Sequence, residues 1–163
     1  MTTLKKILSH FKPPTLEVTV FHAVFCSMQN KHVYSCQLNI RMRTKKNHTI
    51  TALYLEPPRE LITVFSALPI RYVFPGNRSG LYRLSEDQVL QRLMSSEDVI
   101  TLDQFAVRAA VPVNVTFSGF LYPIREPNHR KDLPLTGWRL RVEYDFFKTI
   151  WSDVQFEEYS VRR

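Results

Sequence analysis

Apolar and polar residues alternate along several stretches of the chain with the period of two that a half-buried β-strand requires. The alternation is cleanest over residues 33–46 and 138–146, and shorter runs cover residues 15–28 and 113–118. Residues 49–55, which are mostly apolar, indicate a further strand. β-Branched and aromatic residues, which pack well on a pleated surface, dominate these runs. The pattern predicts an antiparallel β-sheet as the centre of the fold.

Three other segments have features that are typical of helices. Residues 59–68 follow two prolines and end before a third, and residues 85–94 begin with the capping sequence Ser-Glu-Asp-Gln. Residues 101–109 repeat apolar positions at helical spacing. Because strands precede and follow these segments, the order predicts an α+β fold: a single compact domain whose antiparallel β-sheet core packs with two or three short helices.

The chain begins with a short leader that differs in pattern from the rest. We predict a flexible basic amphipathic leader over residues 1–14, closed by two prolines, and one domain over residues 15–163. The leader either packs on its own domain or anchors the chain in a membrane interface or a partner's groove. Its candidate contact residues are an apolar stripe with flanking lysines: Leu4, Lys5, Lys6, Ile7, Leu8, Phe11 and Lys12.

Charge is distributed unevenly between the two halves of the chain. The 163 residues have a formal net charge of +7, and 44% of them are hydrophobic, which is a globular composition. Residues 1–82 hold 11 Lys and Arg against 3 acids, whereas residues 83–163 hold 11 against 12. A basic half of this kind indicates a polyanionic partner, either a nucleic acid or an anionic membrane.

Basic residues are concentrated in one row within the first half. Arg41, Arg43 and Lys45 stand at every second position of the run 33–46, so a strand would place them on one face, and Lys46 follows. This row is our candidate polyanion-binding site. The alternative is that it forms the ordinary solvated face of the sheet.

The sequence lacks the motifs of common catalytic and cofactor sites. It contains no G-x-x-x-x-G-K-[ST] or G-x-G-x-x-G phosphate loop and no G-x-S-x-G elbow. His22, Cys26 and His32 are the one group that a hairpin would bring together, and nothing in the sequence orients either histidine. Cys26 and Cys36 are too few for a disulfide scaffold, so we interpret them as buried thiols. We predict no enzymatic activity, no cofactor and no metal.

Short segments of the chain resemble viral matrix proteins. The opening Met-Thr-Thr-Leu-Lys-Lys-Ile-Leu is similar to the leader that precedes the β-rich core of rhabdovirus matrix proteins. Residues 14–18, 61–68 and 81–88 resemble the small matrix protein of bornaviruses. One departure is that Pro13-Pro14 is followed by Thr15-Leu16, so the Pro-Pro-x-Tyr budding motif of many rhabdovirus matrix proteins is missing.

The resemblance implies a matrix protein of a non-segmented negative-strand RNA virus, which self-associates, coats the inner membrane leaflet and condenses the ribonucleocapsid during budding. The implied partners are an anionic lipid membrane, the viral nucleocapsid or RNA, further copies of the chain and an envelope glycoprotein tail. The implied locations are the virion, the host cytoplasm and the inner face of host membranes, with the nucleus as a further location. The leader residues would make the membrane or nucleocapsid contact.

Two other functions fit the same residues. An RNA-binding viral accessory protein, such as a non-enzymatic regulator or silencing suppressor, would use the row at Arg41 on phosphates and exposed aromatics on bases. A β-rich adaptor would have no polyanionic partner. Lipid binding that depends on the leader favours the matrix protein. RNA binding that survives loss of the leader but not charge reversal at Arg41 and Arg43 favours the regulator.

Overall fold

The computed structural model describes residues 15–27, 34–75, 99–124 and 133–158, which form two β-sheets. These residues are 62% strand and 6% helix. The strands are β1 Leu16–Ser27, β2 Tyr34–Thr44, β3 His48–Glu56, β4 Leu68–Ile70, β5 Tyr72–Pro75, β6 Ile100–Thr101, β7 Ala106–Val107, β8 Val113–Leu121, β9 Trp138–Tyr144, β10 Lys148–Val154 and β11 Glu157–Glu158. Single turns of 3₁₀-helix cover Arg59–Leu61 and Leu102–Gln104.

The chain connects the two sheets through a turn between consecutive strands. Sheet 1 has the order β11-β1-β2-β8-β5-β6, and sheet 2 has the order β10-β9-β3-β4, with β7 paired to β3. Apart from the parallel pair β1–β11, every pairing is antiparallel. The chain crosses from sheet 1 to sheet 2 in the tight turn between β2 and β3. That turn therefore lies at one end of both sheets.

Alternation along β2 and β9 builds the core. Leu38, Ile40 and Met42 of β2 are fully buried, as are Leu140 and Val142 of β9. Residues from both sheets form one cluster, so the two sheets share a single core. The alternation predicted from the sequence is confirmed for these strands.

Aromatic rings fill the centre of this core. Trp138 packs edge-on against Phe156 with ring centroids 5.5 Å apart, and its indole N–H donates to the Pro134 carbonyl at 2.8 Å. Phe156 also contacts Phe25 of β1 at 5.0 Å, and Phe65 contacts Trp138 at 6.2 Å. Such pairs add to the free energy gained by burying the rings.

The predicted α+β fold is wrong, because the described residues contain no helix of seven residues or more. Residues 59–68 form one 3₁₀ turn, after which Leu68–Ile70 pairs with β3. Residues 101–109 likewise form a strand end, a 3₁₀ turn and the strand β7, which pairs with the start of β3. The predicted helix over 85–94 lies outside the described residues.

Pairing with β3 explains both corrections. Each segment is rich in apolar residues at a spacing of three or four, which fits a helix and also fits a single 3₁₀ turn followed by a strand. Long-range strand pairing decides between the two, since tertiary contacts routinely override weak local propensity.

We expect Leu38→Ala to lower the free energy of unfolding by about 2–5 kcal/mol, because it leaves a cavity between β1 and β8. Leu38 is fully buried and stands in register between Ala23 and Phe117. Ile62→Ala is the control, since 58% of Ile62 is exposed. Urea unfolding measures the difference. Equal losses in the two variants would mean that Leu38 is not a core residue.

Candidate functional site

The leader residues Leu4 to Lys12 lie outside the described residues, but the place where the leader joins the domain is defined. Thr15 is the first described residue, and its carbonyl accepts a hydrogen bond from the Lys45 amide at 3.3 Å. Lys45 belongs to the turn between β2 and β3. The leader is therefore attached at the end of the sheets where this turn lies.

The predicted basic row is divided between a strand face and a turn. Arg41 and Arg43 lie on the outer face of sheet 1, where Glu17 stands opposite Arg43 in register. Arg41 is half-buried, and its Nε donates to Asn114 Oδ1 at 3.0 Å while its guanidinium lies 5.3 Å from the ring centroid of Phe21. Arg41 thus stabilises sheet 1, and its charge is only partly available to a ligand.

Lys45 and Lys46 are free to bind an anion. Both are exposed, and neither makes an ion pair within the described part of the chain. Their turn is held by Thr44, whose hydroxyl donates to the Lys46 carbonyl at 2.5 Å and accepts from the Lys46 amide at 3.1 Å. The turn geometry therefore holds the two lysine side chains in solvent.

A second loop is fastened to this turn. The Ala110 amide donates to the Thr44 carbonyl at 3.2 Å, and the Ala109 amide donates to Asn47 Oδ1 at 2.9 Å. These bonds place Arg108, which is exposed and without an ion pair among the described residues, beside the lysine turn.

A third loop, the turn from β9 to β10, is anchored at the same end by Asp145. Its carboxylate accepts from the Thr49 amide at 3.0 Å and from His48 Nδ1 at 2.5 Å. The Asp145 amide in turn donates to the Thr49 carbonyl at 2.9 Å. Three bonds between this turn and the start of β3 hold it rigidly.

The turn that Asp145 anchors displays two phenylalanines. Phe146 is 78% exposed and Phe147 is 97% exposed, and we call this pair the aromatic tip. Asp145 and Phe146 have φ angles of 49° and 68°, and the Phe147 amide donates to the Asp145 carbonyl at 2.9 Å. Turns of positive φ favour Asn and Gly, and a bulky residue there costs about 1–2 kcal/mol. Burial of the Phe146 ring does not offset that cost, which points to a functional role.

The three loops together form what we call the basic end. They comprise residues 45–47, 108–112 and 145–148 and contain one acid, Asp145. Lys148 lies 4.0 Å from the Asp145 carboxylate, and the other cations are unpaired within the described residues. The cations of the basic end are Lys45, Lys46, Arg108 and Lys148.

Thr15, His48 and Asp145 are arranged like the hydroxyl, imidazole and carboxylate of a hydrolase triad. His48 donates from Nδ1 to Asp145, and its Nε2 shares a hydrogen bond of 2.5 Å with the Thr15 hydroxyl. However, the His48 side chain is only 3% exposed, and neither of the two described cavities is lined by any of the three residues. Because the imidazole between Thr15 and Asp145 is buried, we interpret the array as a tie that fixes both residues to the start of β3.

Burial alone raises the pKa of the Asp145 carboxyl, but the hydrogen bonds from Thr49 and His48 and the charges of His48 and Lys148 outweigh it. The net result is a pKa below the ordinary value of an aspartate. The carboxylate therefore stays ionised at neutral pH and keeps its anchoring bonds.

Other chemistry is sparse in the described residues. They contain no group of three His, Cys, Asp or Glu side chains placed to hold a metal. Burial raises the pKa of Cys36 to about 12 despite its hydrogen bond with Gly119, so this free thiol is inert. No helix within the described ranges has the length and apolar character needed to cross a membrane.

No protein-family model matches the chain, and a comparison with curated proteins finds no similar one.

Asp145→Asn should lower the free energy of unfolding at pH 7 by about 1–3 kcal/mol, because a charge-assisted bond to buried His48 is lost. The carboxyl pKa is lower in the folded than in the unfolded chain. Its contribution is therefore complete above the unfolded value of about 3.9 and fades as the pH falls through the folded pKa.

Urea unfolding at pH 7 and at pH 3 tests this, with Asp153→Asn as the control because Asp153 is exposed on β10. We expect the difference between wild type and Asp145→Asn to shrink at pH 3. A difference that is the same at both pH values would show that the carboxylate charge is irrelevant.

Proposed function

We propose that the chain is a non-enzymatic assembly protein that docks on an anionic membrane through its basic end and aromatic tip. Such docking is how a matrix protein of a non-segmented negative-strand RNA virus would coat the inner leaflet of an envelope. The observation that carries the proposal is the pair Phe146 and Phe147, held in water by a rigid, strained turn beside cations of which Lys45, Lys46 and Arg108 make no ion pair within the described residues.

The shape of the aromatic tip suits insertion into lipid. A two-residue projection at the end of a hairpin enters the interfacial region without the rest of the sheet having to follow. Aromatic side chains favour that region of a bilayer. The cations of the basic end lie on loops that are bonded together at the same end of the sheets as the tip. They would therefore contact lipid phosphates when the tip inserts.

The expected strength of docking is modest. Each cation near an anionic leaflet contributes about 1 kcal/mol, and each phenylalanine contributes about 1.5–3 kcal/mol if it is fully inserted. Ordering and partial insertion reduce this sum. One copy therefore binds reversibly, and self-association into a coat would multiply the contacts.

The leader supports the same orientation. Thr15 joins it to the basic end, so its apolar stripe and three lysines would begin at the membrane side of the domain. Contacts with the nucleocapsid or RNA, with a glycoprotein tail and with other copies would then use surfaces away from the lipid. This arrangement leads us to propose the virion and the inner face of host membranes as the sites of action.

The geometry of the basic row favours RNA binding less than it favours membrane docking. RNA binding needs a continuous row of available cations, but Arg41 is engaged by Asn114 and Phe21, and Arg43 faces Glu17 across the strand pair. Nucleic-acid binding that is lost on charge reversal at Arg43 and unaffected at the aromatic tip would favour RNA.

We expect Phe146→Ser with Phe147→Ser to weaken binding to anionic liposomes at least tenfold, since each lost insertion removes apolar burial worth about 1.4 kcal/mol or more. Co-sedimentation with phosphatidylserine vesicles measures the change. Ile62→Ser is the matched control, because Ile62 is also exposed but lies near the end of β3 away from the tip. If the double variant binds as tightly as the wild type and Ile62→Ser do, the tip is not the docking element.

Lys45→Glu with Lys46→Glu should weaken the same binding and reduce its dependence on salt, because fewer lipid charges are neutralised. Arg71→Glu is the control, since Arg71 is exposed between β4 and β5, outside the basic end. Vesicle binding at low and physiological salt measures both effects, with and without residues 1–12. An equal loss in both variants would indicate a general response to net charge.

A further inference from the structure

A groove lies at the end of the sheets opposite the basic end. It has a volume of about 650 Å³ and lies between the last residue of β3, the 3₁₀ turn after it, and the start of β9. β3 runs nine residues from His48 to Glu56, so the groove is about 26 Å from the basic end at about 3.3 Å per residue. The volume is in the range of pockets that bind small ligands or short peptide segments.

Three arginines give the groove a positive charge. Arg59, Arg139 and Arg141 line it together with one acid, Glu56. Glu56 accepts from Arg139 Nη2 at 3.0 Å and from Arg141 Nη1 at 2.8 Å. Arg59 has no ion pair among the described residues, so its positive charge is available to a ligand.

Two of these arginines are held in place before any ligand arrives. The Arg141 guanidinium lies 4.3 Å from the ring centroid of Tyr54, and the Arg139 guanidinium lies 5.6 Å from that of Trp151. Each guanidinium has five N–H donors, so donors remain after the bond to Glu56. Arg141 Nε is buried and makes no hydrogen bond, although Glu143 lies 3.5 Å away. Guanidinium groups that are already fixed in position bind carboxylates at a low entropic cost.

Exposed aliphatic side chains also line the groove. Ile62 is 58% exposed and Ile124 is 60% exposed, and both line the groove. The Ile124 amide donates to the Val64 carbonyl at 2.5 Å, which fixes the two segments together. A groove lined by both cationic and aliphatic side chains selects a ligand that carries both carboxylates and apolar groups.

We propose that this groove binds a short acidic peptide segment of a partner protein. Its carboxylates bind Arg59, Arg139 and Arg141, and its aliphatic side chains pack on Ile62 and Ile124. Nucleic acid fits less well, because its bases stack on exposed aromatic side chains, and Phe65, the aromatic residue in the described lining of the groove, is buried. The inference depends on the proposed function in one respect: a protein that bridges a membrane to a partner needs a second contact at the end away from the lipid.

The test uses the full chain in solution without lipid. A displayed library of random hexapeptides is selected on the protein, and the best peptide is resynthesised with a fluorophore for polarisation measurements. We expect enrichment of Asp and Glu together with Leu, Ile or Val, and at least tenfold weaker binding after Arg59→Glu or Ile62→Ser. Arg59→Glu is preferred because it breaks no ion pair within the described residues, and Arg139→Gln is the second variant.

Arg71→Glu and the double variant Phe146→Ser with Phe147→Ser are the controls, and both should bind the peptide as the wild type does. A library without acidic enrichment, or binding that Arg59→Glu leaves unchanged, would overturn the proposal. The proposal would also be overturned if a uridine dodecamer bound more tightly than the peptide, displaced it, and lost its binding on Arg59→Glu. The double variant of Phe146 and Phe147, which tests liposome binding, is a control for peptide binding, and Ile62→Ser, which tests peptide binding, is the control for liposome binding. A negative result in one assay therefore leaves the other interpretable.

Discussion

The hydrogen bond between His48 and Asp145 is the interaction on which the functional surface depends. It joins residues 97 positions apart, at the start of β3 and in the turn from β9 to β10, and the Thr49 amide adds a second bond to the same carboxylate. These bonds stabilise the turn in the conformation that keeps Phe146 at a positive φ with its ring exposed to water. The buried His48 also reaches Thr15, so one side chain fixes both the aromatic tip and the point at which the leader joins.

The two ends of the sheets differ in chemistry. The basic end combines unpaired cations with a projecting aromatic pair, which suits a flat anionic surface. The opposite end combines pre-positioned arginines with exposed aliphatic side chains in a concave groove, which suits a peptide. β3 spans the distance between them: His48 at its start anchors the turn of the aromatic tip, and Glu56 at its end lines the groove. A rigid strand that connects the two proposed binding surfaces is the simplest physical basis for the bridging role that we propose.

The strands could be predicted from the sequence because their apolar alternation is local, as in Leu38, Ile40 and Met42. The conformation of residues 59–68 and 101–109 could not be predicted, because pairing with β3 forms strands where the local pattern indicated helices. The candidate row was only partly informative, since Asn114, 73 residues from Arg41, engages its guanidinium. The aromatic tip was missed because Phe146 continues the apolar alternation of β9, and its turn contains no Gly, Pro or Asn. Asp145, which tolerates positive φ, was the one available signal.

Insertion depth of the aromatic tip tests the central claim most directly. A trifluoromethyl-phenylalanine is placed at position 147 or, as the control, at position 62, and fluorine relaxation is measured on vesicles that carry a nitroxide on the lipid acyl chain. We predict strong broadening at position 147 and none at position 62. Equal relaxation at the two positions in vesicle-bound protein would show that the tip does not enter the bilayer.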